Sequence, residues 1–571
     1  MMGSHPSFNA WGGSVLLGLL VTLLACTPVV PPSPTLPAGN QGQAEARQPR
    51  GALKIAYARE PESASSKFLG GGGAGEYAWI FNSTLTMFDF NGIPHPLLAS
   101  EIPSREKGDW VVNPDGTMVT TYRLRPGARW HDSVPITAGD FVFAHQVYLD
   151  PELPVVTRSP EDLMSRVDAP DDQTVVIYWR ETFPSANVLG YQQLNPLPRH
   201  ILEAKYRTNR ANFTIGEEWT TSYIGSGPFR VERWEPGARI VTRAHREWVL
   251  GPPRLETLEI RFISDNATML GNLLASEIDM TTALSIGQAL EADRWVARGE
   301  GYLKTWSTRL TFLDFQQREV PNWQPAMRDV RVRQALMHSL DREGLVDAIN
   351  HGLGGVAHAF ITPSDPLFPD ADQVITKYPL DPSRAAALLG EAGWRRSQPG
   401  APFADAAGQA LKVDIWSTEE KEALLIADSW RTAGINSSPY GIPQARQRDL
   451  EHRNSFPGAN TGSRSIHRGN FDWTSKGVPK PETGWVGSNR GSFVDAEIDR
   501  LYEVWTTSII EPERRQAQIA LYKRMSELVA IGPIFYGVEV ILASNKVKGP
   551  VGNYGPQVGV TWNVHEWEVT E

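Results

Sequence analysis

Apolar residues recur along most of this chain with one of two short periods. After the turn signal Asp115-Gly116, Met118, Thr120, Tyr122 and Leu124 alternate with their neighbours, placing them on one face of a strand that Pro126-Gly127 ends. Helical spacing follows at Phe141, Ala144, Val147 and Tyr148, with Thr137 placed to cap the helix and Asp140, three residues on, suited to its positive start. Phe229, Val231 and Arg233 suggest another strand, turned at Pro236-Gly237. In the second half, Val332, Ala335, Leu336 and Leu340 share a helix face, Leu345, Val346 and Ile349 continue it beyond Asp341, and Gly352 is placed to end the run. Asp381-Pro382 opens a further helix with Leu388 and Leu389 on its apolar face and Gly393 at its close. Strand and helix signals alternate without a fixed repeat of roughly 20 to 50 residues, which argues against a solenoid or propeller. The pattern predicts a mixed α/β fold.

The apolar run Val15 to Ala25 has a different meaning. A helix that crosses a bilayer needs about 20 residues, so this run fits the core of a secretory signal peptide instead. It ends in Leu23-Leu24-Ala25-Cys26, the form of a lipoprotein processing site, and Cys26 is the single cysteine of the 571 residues. Residues 1–25 are expected to be removed and Cys26 to carry lipid, as an anchor rather than a redox or metal residue. Met1 to Ser14 contains no Lys or Arg where a positive region is expected, so a cleaved signal without lipid, or a different start, remains the alternative. Residues 26–50 are rich in Pro, Gly, Gln and Ala and form an expected tether. The protein is therefore expected outside the cytoplasm, lipid-anchored to the cell membrane.

Composition narrows the rest. The remaining body of roughly 520 residues exceeds what one core normally serves, so two or more are expected. Without a second cysteine, neither a disulfide framework nor a cysteine-based metal site is possible. The net charge of −10 is spread over intermixed signs and gives no footprint for nucleic acid. No cofactor is expected. The 19 Trp, 15 Tyr and 20 Phe exceed what cores alone require and leave material for an aromatic-lined cleft.

A set of motifs in fixed order carries a resemblance. Asn113-Pro-Asp-Gly-Thr117, Tyr122-Arg-Leu-Arg-Pro-Gly127, Trp130-His-Asp132 and Thr137-Ala-Gly-Asp140 come first. Gly225-Ser-Gly-Pro-Phe-Arg-Val231 with Trp234 and Leu274-Ala-Ser-Glu-Ile-Asp279 follow, then Val330-Arg-Val-Arg-Gln-Ala-Leu336 with Leu340-Asp-Arg342. Asp381-Pro with Leu388-Leu-Gly-Glu-Ala-Gly-Trp394 and a C-terminal group at Asp495–Asp499, Glu511–Arg515 and Pro533-Ile534 complete it. This order resembles the family 5 extracellular solute-binding proteins, the dipeptide, oligopeptide and nickel receptors of ABC importers. The resemblance implies the two-lobed periplasmic-binding-protein-like fold (class II type), a ligand crevice between the lobes, and no bond chemistry. By analogy, lobe I takes 51–85, 197–308 and 533–571, with an extra subdomain at 86–196, and lobe II takes 309–532. Implied partners are a peptide or other oligomeric small solute, and an ABC permease with its ATPase; the receptor is expected to be a monomer.

Peptide receptors of the family meet the ligand's ammonium with an Asp in a Trp-containing loop. The corresponding stretch here, Asn470 to Trp485, keeps Phe471-Asp472 and two Trp but lacks the later Asp-Tyr and Asp-Pro, and Lys476 and Lys480 stand nearby. Asp472, Trp473, Lys476 and Trp485 are therefore candidate ligand contacts. The tryptophans would suit sugar faces or apolar side chains, and the lysines a carboxylate; Trp473 in a core and the lysines in solvent is the other reading. Gly72 and Gly73 of the glycine run Gly70 to Gly75, with Tyr77, border the crevice in the family; no Gly-Lys-Ser/Thr follows, so the run is no phosphate loop. Trp306 precedes the apparent crossing into lobe II and is a candidate for the hinge or crevice wall, with a place in the core as the other reading. The expected function is a membrane-tethered receptor for a peptide-like solute, with an oligosaccharide receptor as the alternative. A lipid-anchored glycan hydrolase is the competitor from another class, since paired carboxylates leave no sequence signature. Neither His-Glu-x-x-His nor Gly-x-Ser-x-Gly occurs.

Overall fold

Two long antiparallel strands, Gly301–Phe315 and Ile531–Ser544, run the length of a ten-stranded sheet and belong to both of its halves. The computed structural model describes residues 48–68, 74–465, 473–554 and 559–570. From one edge the sheet runs through Pro439–Gly441, Ile415–Ser417 and Ala459–Ser465 to the two long strands. It continues through Met280–Thr281, Ala52–Tyr57, Thr257–Phe262, Arg239–Ala244 and Phe229–Glu235.

Alternation along the long strands explains the cores. Trp306 and Ile541 join Leu53, Ile55 and Tyr57 on one face of one half, while Val540 and Leu542 join the helix Asn266–Leu274 on the other. Past the middle, Leu313, Phe315 and Ile534 enter a core with the helices Val330–His338, Pro382–Glu391 and Glu420–Thr432. Leu310, Phe312 and Ile531 face the helices Ala496–Thr507 and Glu511–Leu528. The register shifts twice between these halves. Ser307 pairs with Val538 but Arg309 with Gly537, and a second shift separates Thr311 from Phe312. Extra residues in a ladder bend and twist it locally.

Residues 86–196 contain a separate four-stranded sheet, ordered Trp110–Val112, Met118–Arg123, Thr174–Trp179, Met164–Asp171, under the helix Ala138–Tyr148. Met118, Thr120 and Tyr122 face inward as their alternation predicts, and Gly116 takes the positive φ of 84° that the turn before them needs. The Asp140 carboxylate accepts the Thr137 backbone N–H at 2.8 Å, closing the helix start, and Phe141, Ala144, Val147 and Tyr148 are buried. Among the described residues no helix is long and apolar enough to cross a membrane.

Two elements differ from the pattern. In Phe229–Glu235 a bulge between Val231 and Arg233 reverses the phase, so Arg233 is exposed and Trp234 is buried instead, donating to Glu60 at 2.5 Å. The apolar run from Val332 to Ile349 is two helices rather than one. The first ends at His338, and Asp341 starts Arg342–Asn350 by accepting the Gly344 N–H at 2.9 Å. His351 and Gly352, both at positive φ, end the second.

Candidate functional site

Register across four strands sets one row of side chains on a single sheet face. Asp314 pairs with Asn460, Asn460 with Trp416, and Trp416 with Tyr440. Leu313, Phe315 and Ile415 fill the core behind the sheet, so by the strand period of two this row projects from the opposite face, together with Phe312. Gly462 stands opposite Phe312, and a Cβ there would lie 2.6 Å from the Phe312 ring, so glycine leaves the ring its space.

The row grades from aromatic to charged. At the edge, the Trp416 ring lies 4.5 Å from Tyr440 and 4.8 Å from His452, the latter carried by the short helix Leu450–Arg453 that Asp449 caps. At the centre, Asp314 is 1% exposed and neither of its carboxylate oxygens has a hydrogen-bond partner. The amide of Asn460 beside it is committed to the Thr461 carbonyl at 2.8 Å, and its own side-chain oxygen is unpartnered. Burial pushes the Asp314 carboxyl up to about 6, against the opposing influence of Arg490, Arg464, the Asn460 side chain and Arg453. Burial also lowers these arginines, Arg453 to about 10, and Arg490 depresses both Arg453 and Arg464 further.

Three elements aim the arginines. Arg453 ends the helix Leu450–Arg453, Arg464 lies on Ala459–Ser465, and Arg490 follows Asn489, which ties its loop together. The Asn489 amide donates to the Trp473, Thr474 and Phe493 carbonyls, and its oxygen accepts the Phe493 N–H at 3.0 Å. Arg453 donates through Nη1 to the Gln447 carbonyl at 3.4 Å, while its Nε has no partner among the described residues.

Of the candidates from the sequence, Trp473 rests against Phe312 and Phe360, with ring centroids 6.1 and 6.2 Å apart. Lys476 is exposed. Trp485 lies under the Arg318 guanidinium at 5.1 Å, and Arg318 also donates to the Pro479 and Asn454 carbonyls, so both hold the loop in place. Tyr77 is 1% exposed, donates to the Arg59 carbonyl at 2.5 Å and packs edge-on to Tyr57 at 5.1 Å, a core position. Trp306 stacks over the Gly552 backbone and donates to Asn553 at 3.2 Å, one residue before the first register shift. Beside it Thr308 donates to Glu539 at 2.9 Å. Cys26, Gly72, Gly73 and Asp472 lie outside the described residues. Asp314, Arg453, Arg464, Arg490 and Trp416 were not singled out from the sequence. Asp314 had a signal, because it is the lone charged residue in Leu310–Phe315.

Elsewhere, Glu422 is buried on the other side of the sheet, where Ser417 donates to it at 3.3 Å and burial lifts its carboxyl to about 7. A groove of about 580 Å³ lies between the helix Ala138–Tyr148 and Arg199 to Arg207. Its arginines are already engaged, Arg199 and Arg207 both pairing with Glu203.

The model of the bacterial extracellular solute-binding proteins, family 5 middle, matches residues 94–478, about two thirds of the chain. A Brucella ovis protein named for ABC-transporter peptide binding is 28% identical over 288 residues, 50% of each chain. The chain thus spans about half the length of the Brucella relatives that it matches. Heme-binding protein A of Haemophilus influenzae is 24% identical over 475 residues, 77% of this chain and 80% of that one. The crystal structure of the ABC transporter substrate-binding protein CtaP of Listeria monocytogenes superposes with a TM-score of 0.72 at 19% identity, covering 92% of this chain and all of that one. That likeness is one of fold.

Proposed function

Because the chain belongs to the bacterial extracellular solute-binding proteins of family 5, a family of two-lobed receptors rather than enzymes, we propose that it captures a peptide-like solute between its lobes and delivers it to an ABC permease and its ATPase. The observation that carries the reading is Asp314, a buried carboxylate without a hydrogen-bond partner, on a sheet face where Arg490, Arg464 and Arg453 set an opposing positive field. Burying a charge without a partner costs several kcal/mol, and a peptide brings ammonium, carboxylate and amide groups that meet such charges. A peptide-like solute is preferred to an oligosaccharide because the two tryptophans suited to sugar faces are occupied, Trp473 by Phe312 and Phe360, and Trp485 by Arg318.

In this reading lobe I comprises 51–85, 197–308 and 533–571, with the subdomain 86–196, and lobe II comprises 309–532. The register shifts at Ser307/Arg309 and Thr311/Phe312 support a hinge where the long strands pass between cores. Ligand closes the lobes by binding the closed form more tightly. Residues 1–25 act as signal and Cys26 as lipid anchor, with 26–50 as tether, and the receptor works as a monomer. Native mass spectrometry of the protein purified gently from its own host tests the proposal: a ladder of peptide masses is expected, and sugar or heme masses overturn it. The ligand should also raise the melting temperature, since a solute at 100 times its dissociation constant adds about 2.7 kcal/mol.

A further inference from the structure

We infer that the subdomain 86–196 clasps lobe II through Ile509 and Tyr554, and that this clasp sets how readily the lobes close, whatever the solute. This rests on the proposed division into lobes and goes beyond it by naming contacts that hold the closed form.

Ile509 lies in the turn between the helices Ala496–Thr507 and Glu511–Leu528, yet it packs against the hydrophobic core of the subdomain, the one that holds Trp110, Met118 and Trp130. A side chain from lobe II thus completes a core that belongs to another part of the chain. The turn is held in shape by Ser508, whose hydroxyl donates to Glu513 at 2.7 Å and accepts the Ile510 N–H at 3.2 Å. Ile510 itself is 52% exposed, so the cover over Ile509 comes from the subdomain rather than from its own turn. Parting the two bodies returns the Ile509 side chain to water, which the hydrophobic effect opposes.

Tyr554 joins the same parts from the C-terminal segment. Its ring lies 5.8 Å from that of Phe88, in the subdomain hairpin Thr86–Phe88 and Pro94–Pro96. A Cβ on Gly92, at the hairpin tip, would lie 2.8 Å from the Tyr554 ring, and Gly92 takes a φ of 76°, so glycine is what lets the tip reach the ring. On its other side Tyr554 meets lobe II. Burial first, then the Asp365 carboxylate, push the Tyr554 hydroxyl up, and Asp365 and Tyr554 both act on Tyr522 of Glu511–Leu528. The ring therefore sits between the hairpin and the helices that carry Ile509. A solute that binds the closed form gains apparent affinity in proportion to the closed fraction, so these contacts act on binding without touching the solute.

Spin labels measure the clasp directly. In the full chain with Cys26→Ala, which removes the single cysteine, labels at the exposed positions Asp172→Cys and Gln516→Cys report the separation of subdomain and lobe II. A second pair, at Ala297→Cys and Gln516→Cys, reports the lobes. Pulsed electron spin resonance without added solute is expected to show the short separation in this background. Ile509→Ser with Tyr554→Ala should lower the ratio of short to long at least about tenfold in both pairs, equivalent to about 1.4 kcal/mol. Absence of the short separation before these two substitutions overturns the clasp whether or not the variant folds. Unchanged distributions in the variant also overturn it, and a lobe pair that still shows two separations then leaves the lobe motion standing. A lobe pair fixed at one separation in both proteins, with only the subdomain pair lengthened, overturns the closing role and the proposed lobe motion with it.

Discussion

Replacing Asp314 by Asn changes one oxygen for an amide nitrogen of similar size and removes a charge that the fold holds at a cost. The free-chain value of 3.8 rises to about 6 in the folded protein, chiefly through burial. That difference of about two units corresponds to about 3 kcal/mol at 1.36 kcal/mol per unit. The folded state therefore holds the proton more tightly than the unfolded chain. The stability tied to this group is complete below pH 3.8 and is lost as pH rises through 6. Since Asn imitates the protonated acid, Asp314→Asn should match the wild type near pH 4 and exceed it by about 3 kcal/mol at pH 7 to 8. With about 2.1 cal/mol/K of unfolding entropy per residue over roughly 520 residues, the melting temperature rises by about 3 °C. Scanning calorimetry of both proteins between pH 4 and 8, without added solute, measures the difference curve, in which the other titrating groups cancel. Parallel curves across pH 4 to 6 would refute the argument, because they would mean that the carboxylate is solvated or paired in solution.

Three further outcomes follow from the same structure. Lys67 and Glu161 form an ion pair at 2.7 Å with both side chains fully buried, so Lys67→Ala should destabilise the protein by about 3 to 5 kcal/mol, read as a lowered urea midpoint. Trp473→Ala removes a ring packed on Phe312 and Phe360 and should cost about 2 to 4 kcal/mol of stability; a loss of affinity with no loss of stability would instead make it a ligand contact. Cys26→Ala should move the protein from the membrane to the soluble fraction on cell fractionation, and continued attachment would contradict the anchor.

The helices were legible because their determinants are local. Thr137 with Asp140, Asp341 before Gly344, and Asp381 before Pro382 each satisfy the first N–H groups of a helix within a few residues of chain. The strand Met118–Arg123 was legible for the same reason, since its two faces meet different surroundings. Bulges were not. The extra residue that turns Trp234 rather than Arg233 inward is set by pairing with Arg239–Ala244, and no local pattern reports that pairing.

The candidate site divides along the same line. Order of motifs sufficed for the family and a two-lobed fold, because capping, turn and periodic signals repeat wherever that chain path is taken. Which side chains meet was decided by sheet register, a property of strands that are separate in the chain. Asp314, Asn460, Trp416 and Tyr440 share a row because of that register, and Arg453, Arg464 and Arg490 converge there from a helix, a strand and a loop. The tryptophans of the loop carried the chemistry expected of a ligand surface, yet Trp485 is covered by Arg318 and Trp473 by two phenylalanines. An aromatic residue has the same sequence signature whether it packs or binds, since both depend on the apolar surface of the ring. Only the neighbours supplied by the fold distinguish the two.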